Sequence, residues 1–190
     1  MSLASYSAVF ARRAYRAVQT AMIIVIVLVP LSGCGGAKAG KTQQATNFQI
    51  GSYTTANVLA DGESSFSQVL ALKKPVVLNF WGGDCPPCRE EMPNFQKVAD
   101  QYQGQVIFLG VDVGPFVGLG THEQAQQLLK DLKITYATGY SIDDTPVRAY
   151  NMPGLPMTLL IDKEGRIEKT KPGLYSEADL TSDIKKLETE

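Results

Sequence analysis

Two of the chain's three cysteines stand three positions apart, in Cys85-Pro86-Pro87-Cys88. Two sulfurs at that spacing can pass electrons by making and breaking a bond between themselves. The chemistry needs one thiol that ionises readily, because the thiolate is the nucleophile, and a second within reach to displace a partner from a mixed disulfide. Cys85 is the expected attacking sulfur, exposed to a partner, and Cys88 the shielded resolving one. A zinc site is a competing use of such a pair, but a tetrahedral site needs four ligands, and the remaining cysteine and histidine are only Cys34 and His122. A static disulfide is another, yet a bridge across two residues closes a very short loop and constrains the unfolded chain little.

The surrounding residues supply the position that this chemistry requires. Val76 to Phe80 is a short apolar run after Pro75 and reads as a buried strand, while Met92, Phe95, Val98, Ala99 and Tyr102 recur at helical spacing. Cys85 therefore falls where a strand passes into a helix N-terminus, whose free N–H groups and positive dipole end favour a thiolate. Asp84, directly before it, opposes that ionisation, and Gly82-Gly83 leaves the preceding turn bare. Positions 88, 91, 95, 98 and 102 share one side of the helix, which places Glu91 beside Cys88 on the apolar stripe. Two readings fit Glu91: a partly buried acid with a raised pKa that trades a proton with a thiol, or an edge residue reaching solvent. Pro93 cannot donate a helical hydrogen bond, so a kink is expected there.

The segment from Asn79-Phe80-Trp81 through Cys85-Pro86-Pro87-Cys88-Arg89-Glu90-Glu91-Met92-Pro93 resembles the TlpA/ResA-like thiol–disulfide oxidoreductases of the thioredoxin superfamily. Gly154-Leu155-Pro156 resembles the thioredoxin loop whose proline is cis and faces the redox pair, and the match extends over residues 47–190. The resemblance implies an α/β, thioredoxin-like fold, a mixed central β-sheet flanked by helices with an N-terminal β-hairpin extension. It implies a redox disulfide between Cys85 and Cys88, with Glu91 as the proton-handling catalytic group, while Asn79 stands where ordinary thioredoxins carry a buried aspartate. Trp81, Pro86, Leu155 and Pro156 are the implied substrate contacts. By residue type alone Pro156 would be trans, since cis is a minority state even before proline; only the resemblance makes it cis. Met157 replaces a threonine common in the family. No cofactor or metal is implied. The implied partners are exported protein thiols or disulfides, apocytochromes c among them, and an electron-transfer partner in the membrane. A peroxiredoxin-type peroxidase and a redox-inactive binding module are the competing readings, and no residue encodes the direction of electron flow.

The start of the chain reads as an address. Arg12, Arg13 and Arg16 precede an apolar stretch from Ala21 to Leu31, and no acidic residue comes before Asp61. That stretch is well short of the roughly 20 residues a membrane span needs. Leu31-Ser32-Gly33-Cys34 resembles the lipobox of bacterial lipoproteins, which implies cleavage after residue 33 and lipidation of Cys34. The expected organisation is a signal peptide over 1–33, a flexible Gly, Ala, Lys, Thr and Gln tether over 34–46 spanning about 20 Å, and one domain over 47–190. A monomer held by its lipid on the extracytoplasmic face of the cell membrane is expected. Without the three leader arginines, 15 basic residues face 19 acidic ones. That mild excess of negative charge, with no basic cluster, argues against nucleic acid as a partner.

Elsewhere the pattern predicts scaffold. Phe48, Ile50 and Tyr53 alternate with polar residues ahead of an Asp61-Gly62 turn, predicting a hairpin, and Ser64-Ser65 precedes a short helix carrying Phe66, Val69 and Leu70. Gln105 to Asp112 predicts a second buried strand, parallel to the first. The loop from Val113 to Gly120 lacks phosphate-loop order, and its Phe116, Val117 and Leu119 are expected to pack inward. Thr121-His122-Glu123-Gln124 predicts a capping box for a helix through Leu132, with His122 a surface residue. A short helix follows Asp143-Asp144-Thr145-Pro146, then a strand through Ile161, a hairpin turn over Asp162 to Gly165, and a final helix from Ser176.

Overall fold

The computed structural model describes residues 43–187. In chain order the elements are β1 (Gln43–Gln44), β2 (Gln49–Thr54), β3 (Glu63–Ser65), α1 (Phe66–Leu70), β4 (Val76–Trp81), α2 (Pro86–Gln101), β5 (Ile107–Asp112), α3 (Gly114–Val117), α4 (His122–Leu132), β6 (Ala137–Ser141), α5 (Thr145–Ala149), β7 (Met157–Ile161), β8 (Arg166–Pro172) and α6 (Glu177–Leu187). The strands form one eight-stranded mixed sheet in the order β1-β8-β7-β4-β5-β6-β2-β3. β4 and β5 are parallel, as are β5 and β6, whereas β7 runs antiparallel to β4. Every residue of β4 and β5 is buried, as expected of central strands covered on both faces.

Alternation along β4 divides the core. Val77 and Trp81 join Cys88, Met92 and Phe95 of α2 and Leu180 and Ile184 of α6 on one face. Val76, Leu78 and Phe80 join Phe48, Ile50, Phe66 and Val69 on the other. The N-terminal extension is thereby fastened to the sheet. Gln49 pairs with Ser65 in the β2–β3 hairpin, β2 pairs with β6, and Phe48 stacks on Phe66 at 5.1 Å. Ser65 and Gln68 close a capping box on α1, and Thr121 and Gln124 close the one predicted on α4.

Two expectations change, the start of the domain and the loop after β5, and one strand is added. The fold begins before residue 47, because Gln43 and Gln44 pair with Ile167 and Arg166 of β8, and the Thr46 amide donates to the Tyr150 hydroxyl at 3.0 Å. Cys34, the leader and the first part of the tether lie outside the described residues. α2 runs from Pro86 to Gln101 with Pro93 inside it, as far as its apolar stripe extends. β6, Ala137-Thr-Gly-Tyr-Ser141, has no apolar run to mark it and is a strand because it fills the place between β5 and β2. Phe116 and Val117 point outward, at 39% and 37% exposure. Their segment winds into α3, which ends at the left-handed Gly118 (φ 71°), so the turn spends its bonds on the chain rather than its apolar side chains on the core.

Phe66→Ala should destabilise the domain by about 3–5 kcal/mol, because its ring is fully buried between the hairpin and the sheet. Urea denaturation monitored by the single tryptophan measures this.

Candidate functional site

The redox pair is assembled by the end of β4 and the start of α2. Cys85 is the N-cap, in extended conformation, and its sulfur accepts the Cys88 N–H at 3.3 Å. Pro86 takes the first helical position, where a missing N–H costs nothing. Cys85 and Cys88 are joined in a disulfide with Cα atoms 5.3 Å apart. The loop before them is bare for a reason: a Cβ on Gly83 would stand 2.4 Å from the Ala125 backbone nitrogen in α4, and one on Gly82 2.6 Å from the Leu119 carbonyl oxygen. The Asp84 N–H donates to that same Leu119 carbonyl at 2.9 Å. The turn that presents Cys85 is thus clamped against α4 and the segment before it.

Cys85 keeps only 3% of its surface and Cys88 none, so the expected contrast between an exposed and a shielded sulfur is small in the disulfide form. Both sulfurs pack with Trp81, Met92 and Phe95, and Leu155 leans on the same cluster. Cys85 nonetheless borders an open cleft of about 350 Å³ lined by Asp84, Pro86, Gln124, Leu128 and the ion-paired Arg89 and Asp131 (2.9 Å). Pro86 is exposed beside it, Leu155 is half-buried, Pro156 is buried, and the bond between those two is cis. Trp81 is a correction. It is fully buried, so its indole backs the disulfide from beneath instead of offering a substrate surface.

Glu91 is 1% exposed, which rejects the solvent-edge reading. Its Oε1 accepts from Asn79 Nδ2 at 2.8 Å and its Oε2 from the Tyr175 N–H at 3.0 Å, while Asn79 Nδ2 also donates to Thr158 Oγ1 at 3.1 Å. Burial pushes the Glu91 pKa up to about 7, with those two hydrogen bonds and the Lys171 charge acting in the opposite direction. One helical turn separates it from Cys88, on the same side of α2. A carboxyl that is half-ionised near neutrality beside a thiol is equipped to exchange a proton with it.

A second polar group escaped the sequence reading. Asp112, fully buried at the end of β5, accepts the Gly114 N–H at 2.8 Å and the Tyr53 hydroxyl at 3.0 Å, and lies 3.2 Å from His122 Nδ1. The Tyr53 hydroxyl is 2.7 Å from the same His122 nitrogen, and the Tyr140 ring covers the imidazole at 4.5 Å. Burial raises the Asp112 pKa against the pull of these donors. His122 is therefore a bonded member of a network and not a free surface residue. The only signal was an acid closing an apolar strand, since its partners lie 59 and 10 residues away. Among the described residues no three His, Cys, Asp or Glu side chains gather as a metal site.

A disulfide-forming cysteine pair at a helix N-terminus, with Leu155 of a cis-proline loop packed on the same core cluster of a thioredoxin-like sheet, defines a thiol–disulfide oxidoreductase of the thioredoxin fold. The AhpC/TSA family model matches residues 42–170. The thiol-disulfide oxidoreductase ResA of Geobacillus thermodenitrificans is 30% identical over 169 residues, covering 87% of this chain and 94% of the relative. Among solved structures, a thiol-disulfide isomerase from Corynebacterium glutamicum superposes with a TM-score of 0.64 at 19% identity, over 79% of this chain and 98% of its own. The exposed lipoprotein thioredoxin of Streptococcus pneumoniae gives 0.61 at 20%, over 74% and 99%. The chain belongs to the AhpC/TSA family and, within it, to the ResA/TlpA-like thiol–disulfide oxidoreductases.

Burial of Glu91 has a measurable consequence. Below its ordinary pKa of 4.5 the folded and unfolded chains both hold the proton; between there and about 7 only the folded chain does, so stability falls as pH rises through that window and is level above it. The loss attributable to Glu91 is roughly 3 kcal/mol. Denaturant unfolding of the oxidised protein from pH 4 to pH 8 should show this decline, and Glu91→Gln should remove that component.

Proposed function

We propose that the protein is a lipid-anchored, extracytoplasmic reductant of disulfides in exported polypeptides, apocytochromes c among them. The observation that carries the reading is the buried Glu91 carboxyl one turn from Cys88, which equips the pair for the step that releases product. The Cys85 thiolate attacks one sulfur of a substrate disulfide; that S–S bond breaks, the first substrate sulfur leaves as thiolate, and Cys85 is held in a mixed disulfide. Cys88 gives its proton to Glu91 and attacks Cys85; the mixed disulfide breaks and the second substrate sulfur leaves. Two electrons have moved from the cysteine pair to the substrate, and the Cys85–Cys88 bond closes.

Each part of the site has a role in that sequence. The Cys88 N–H and the helix N-terminus favour the Cys85 thiolate, the cis Leu155–Pro156 ledge and exposed Pro86 flank an extended substrate, and the cleft beside Cys85 gives it room. Delivery outside the cytoplasm rests on the lipobox-like Leu31 to Cys34 and on the likeness to a lipoprotein of the same fold. A membrane electron donor would restore the dithiol after each turnover.

Cys88→Ser should arrest the reaction at the first stage, leaving the substrate attached at Cys85; non-reducing electrophoresis of membrane fractions would show partners released by dithiothreitol. Absence of any such adduct, with Cys85 shown to be reactive, would remove the proposed chemistry. Glu91→Gln should flatten the pH dependence of the resolving step around neutrality while leaving the first attack intact, read by stopped-flow tryptophan fluorescence. Cys34→Ala should release the protein from washed membranes, and a reduction potential near the −270 mV typical of thioredoxin fits a reductant, whereas one near about −120 mV reverses the direction.

A further inference from the structure

The two hydrogen bonds to Glu91 have different origins. Asn79 reaches it from the sheet, but the Tyr175 N–H comes from the turn that joins β8 to α6, and that turn is held from outside. The Tyr175 hydroxyl donates to Asp183 Oδ2 at 2.6 Å, and Asp183 is in turn paired with Lys169 and with Lys186, the latter at 2.9 Å. The Tyr175 ring is buried edge-on against Phe95 of α2 at 6.3 Å. Lys169 Nζ and Lys171 Nζ lie 5.7 and 5.8 Å from its centroid. Two residues earlier, the Gly173 N–H donates to the Pro156 carbonyl at 2.9 Å, so the same turn also holds the cis-proline loop.

Lys171 belongs to this arrangement by register. Asn79 of β4 pairs with Thr158 of β7, and Thr158 pairs with Lys171 of β8, which sets the three residues in a row across the sheet. The first two are hydrogen-bonded under Glu91, and Lys171 is the cation whose charge acts on it. The ionisable groups around Glu91 are the cysteine pair on its own helix, Tyr136 just before β6, Lys171 from β8 and Tyr175 before α6; β4 and β7 contribute the neutral Asn79 and Thr158. Asp183, Lys169 and Lys186 are linked to it through Tyr175.

We infer that the Gly173–Tyr175 turn is a tuning clamp for the proton step: Tyr175, latched to Asp183, and Lys171 are positioning residues that hold the Glu91 carboxylate and set the pH at which it takes a proton from Cys88. This rests on the proton role proposed for Glu91. A bond donated to the ionised form stabilises it, and so does a nearby cation; loosening either moves the midpoint of proton acceptance upward. The latch is remote from the sulfurs, and its effect is on that midpoint.

The test is the pH profile of the resolving step in the full-length protein, followed from a preformed mixed disulfide at Cys85, for Tyr175→Phe, Asp183→Asn, Lys171→Met and Lys171→Arg, each with and without Glu91→Gln. Tyr175→Phe and Asp183→Asn should raise the midpoint by about one pH unit. Lys171→Met should raise it by a smaller step, and Lys171→Arg should restore it. Lys171 is only half-buried on an outer strand, so its two variants report even if Tyr175→Phe fails to fold. If Glu91→Gln alone leaves the wild-type midpoint in place, the proton role of Glu91 is wrong and the clamp falls with it. If Glu91→Gln abolishes the midpoint but the Tyr175, Asp183 and Lys171 variants keep it, changing only the rate at every pH or the melting temperature, the clamp is overturned and the Glu91 role stands.

Discussion

A carboxyl group taken out of water is the constraint from which the rest of this site follows. An ionised carboxylate deprived of solvent is costly unless donors replace the water, and Glu91 is 1% exposed. The fold answers with two donors from opposite directions, Asn79 in β4 and the Tyr175 backbone before α6. The first is 12 residues away on the strand that leads into α2, whereas the second requires a distant part of the chain, 84 residues from Glu91. Two donors do not fully offset burial, and the remaining deficit lifts the pKa to about 7. Under the proposed mechanism incomplete solvation is what makes the group useful, because a fully satisfied carboxylate would stay ionised and a wholly unsatisfied one would stay protonated at neutral pH.

The sulfurs are placed by a different device, close approach of backbone. Gly82 and Gly83 let the redox turn press against Leu119 and Ala125, and Asp84 is bonded to the Leu119 carbonyl. The segment they press against is anchored in its turn by Asp112, whose carboxylate holds the Gly114 N–H and gathers Tyr53 and His122. Trp81 and Asp112 are register partners at the ends of the two central strands. The redox turn and the Asp112 network are therefore neighbouring outgrowths of one strand pair. The glycine pair serves this fit, with α4 occupying the space in which a side chain of residue 83 would stand and the Leu119 carbonyl that of residue 82.

Much of this was legible in the sequence where periodicity or local capping carries the information. The β4 to α2 passage, the serine cap of α1, the capping box of α4 and the β7–β8 hairpin rest on contacts a few residues apart, and they stand as read. The cis bond at Pro156 and the thioredoxin-like sheet came from family resemblance, since residue type alone favours trans. What could not be read is what distant strands decide. β6 is a strand through its neighbours, Trp81 is buried by the helix above it, and the Asp112 network is joined across the sheet with no spacing to announce it. Phe116 and Val117 defeat a rule that apolar loop residues turn inward, because four residues of helix and a left-handed glycine leave them on the outer side.

The two cysteines, so close in sequence, face opposite electrostatics, and under the proposed mechanism this divides their labour. Cys85 sits at the cap, where the Cys88 N–H points at its sulfur and the helix dipole favours negative charge. Cys88 sits one turn before a carboxyl on the same side of α2, in a setting without exposed surface. A thiolate at Cys88 and a carboxylate at Glu91 repel in that poorly solvated space, so the two groups together favour holding one proton. That proton keeps Cys88 from attacking prematurely, and transferring it to Glu91 supplies the nucleophile without bringing water to the sulfur. Acid chemistry within the core and thiolate chemistry at its edge are thus produced by a single helix, through the direction in which each position of its first two turns faces.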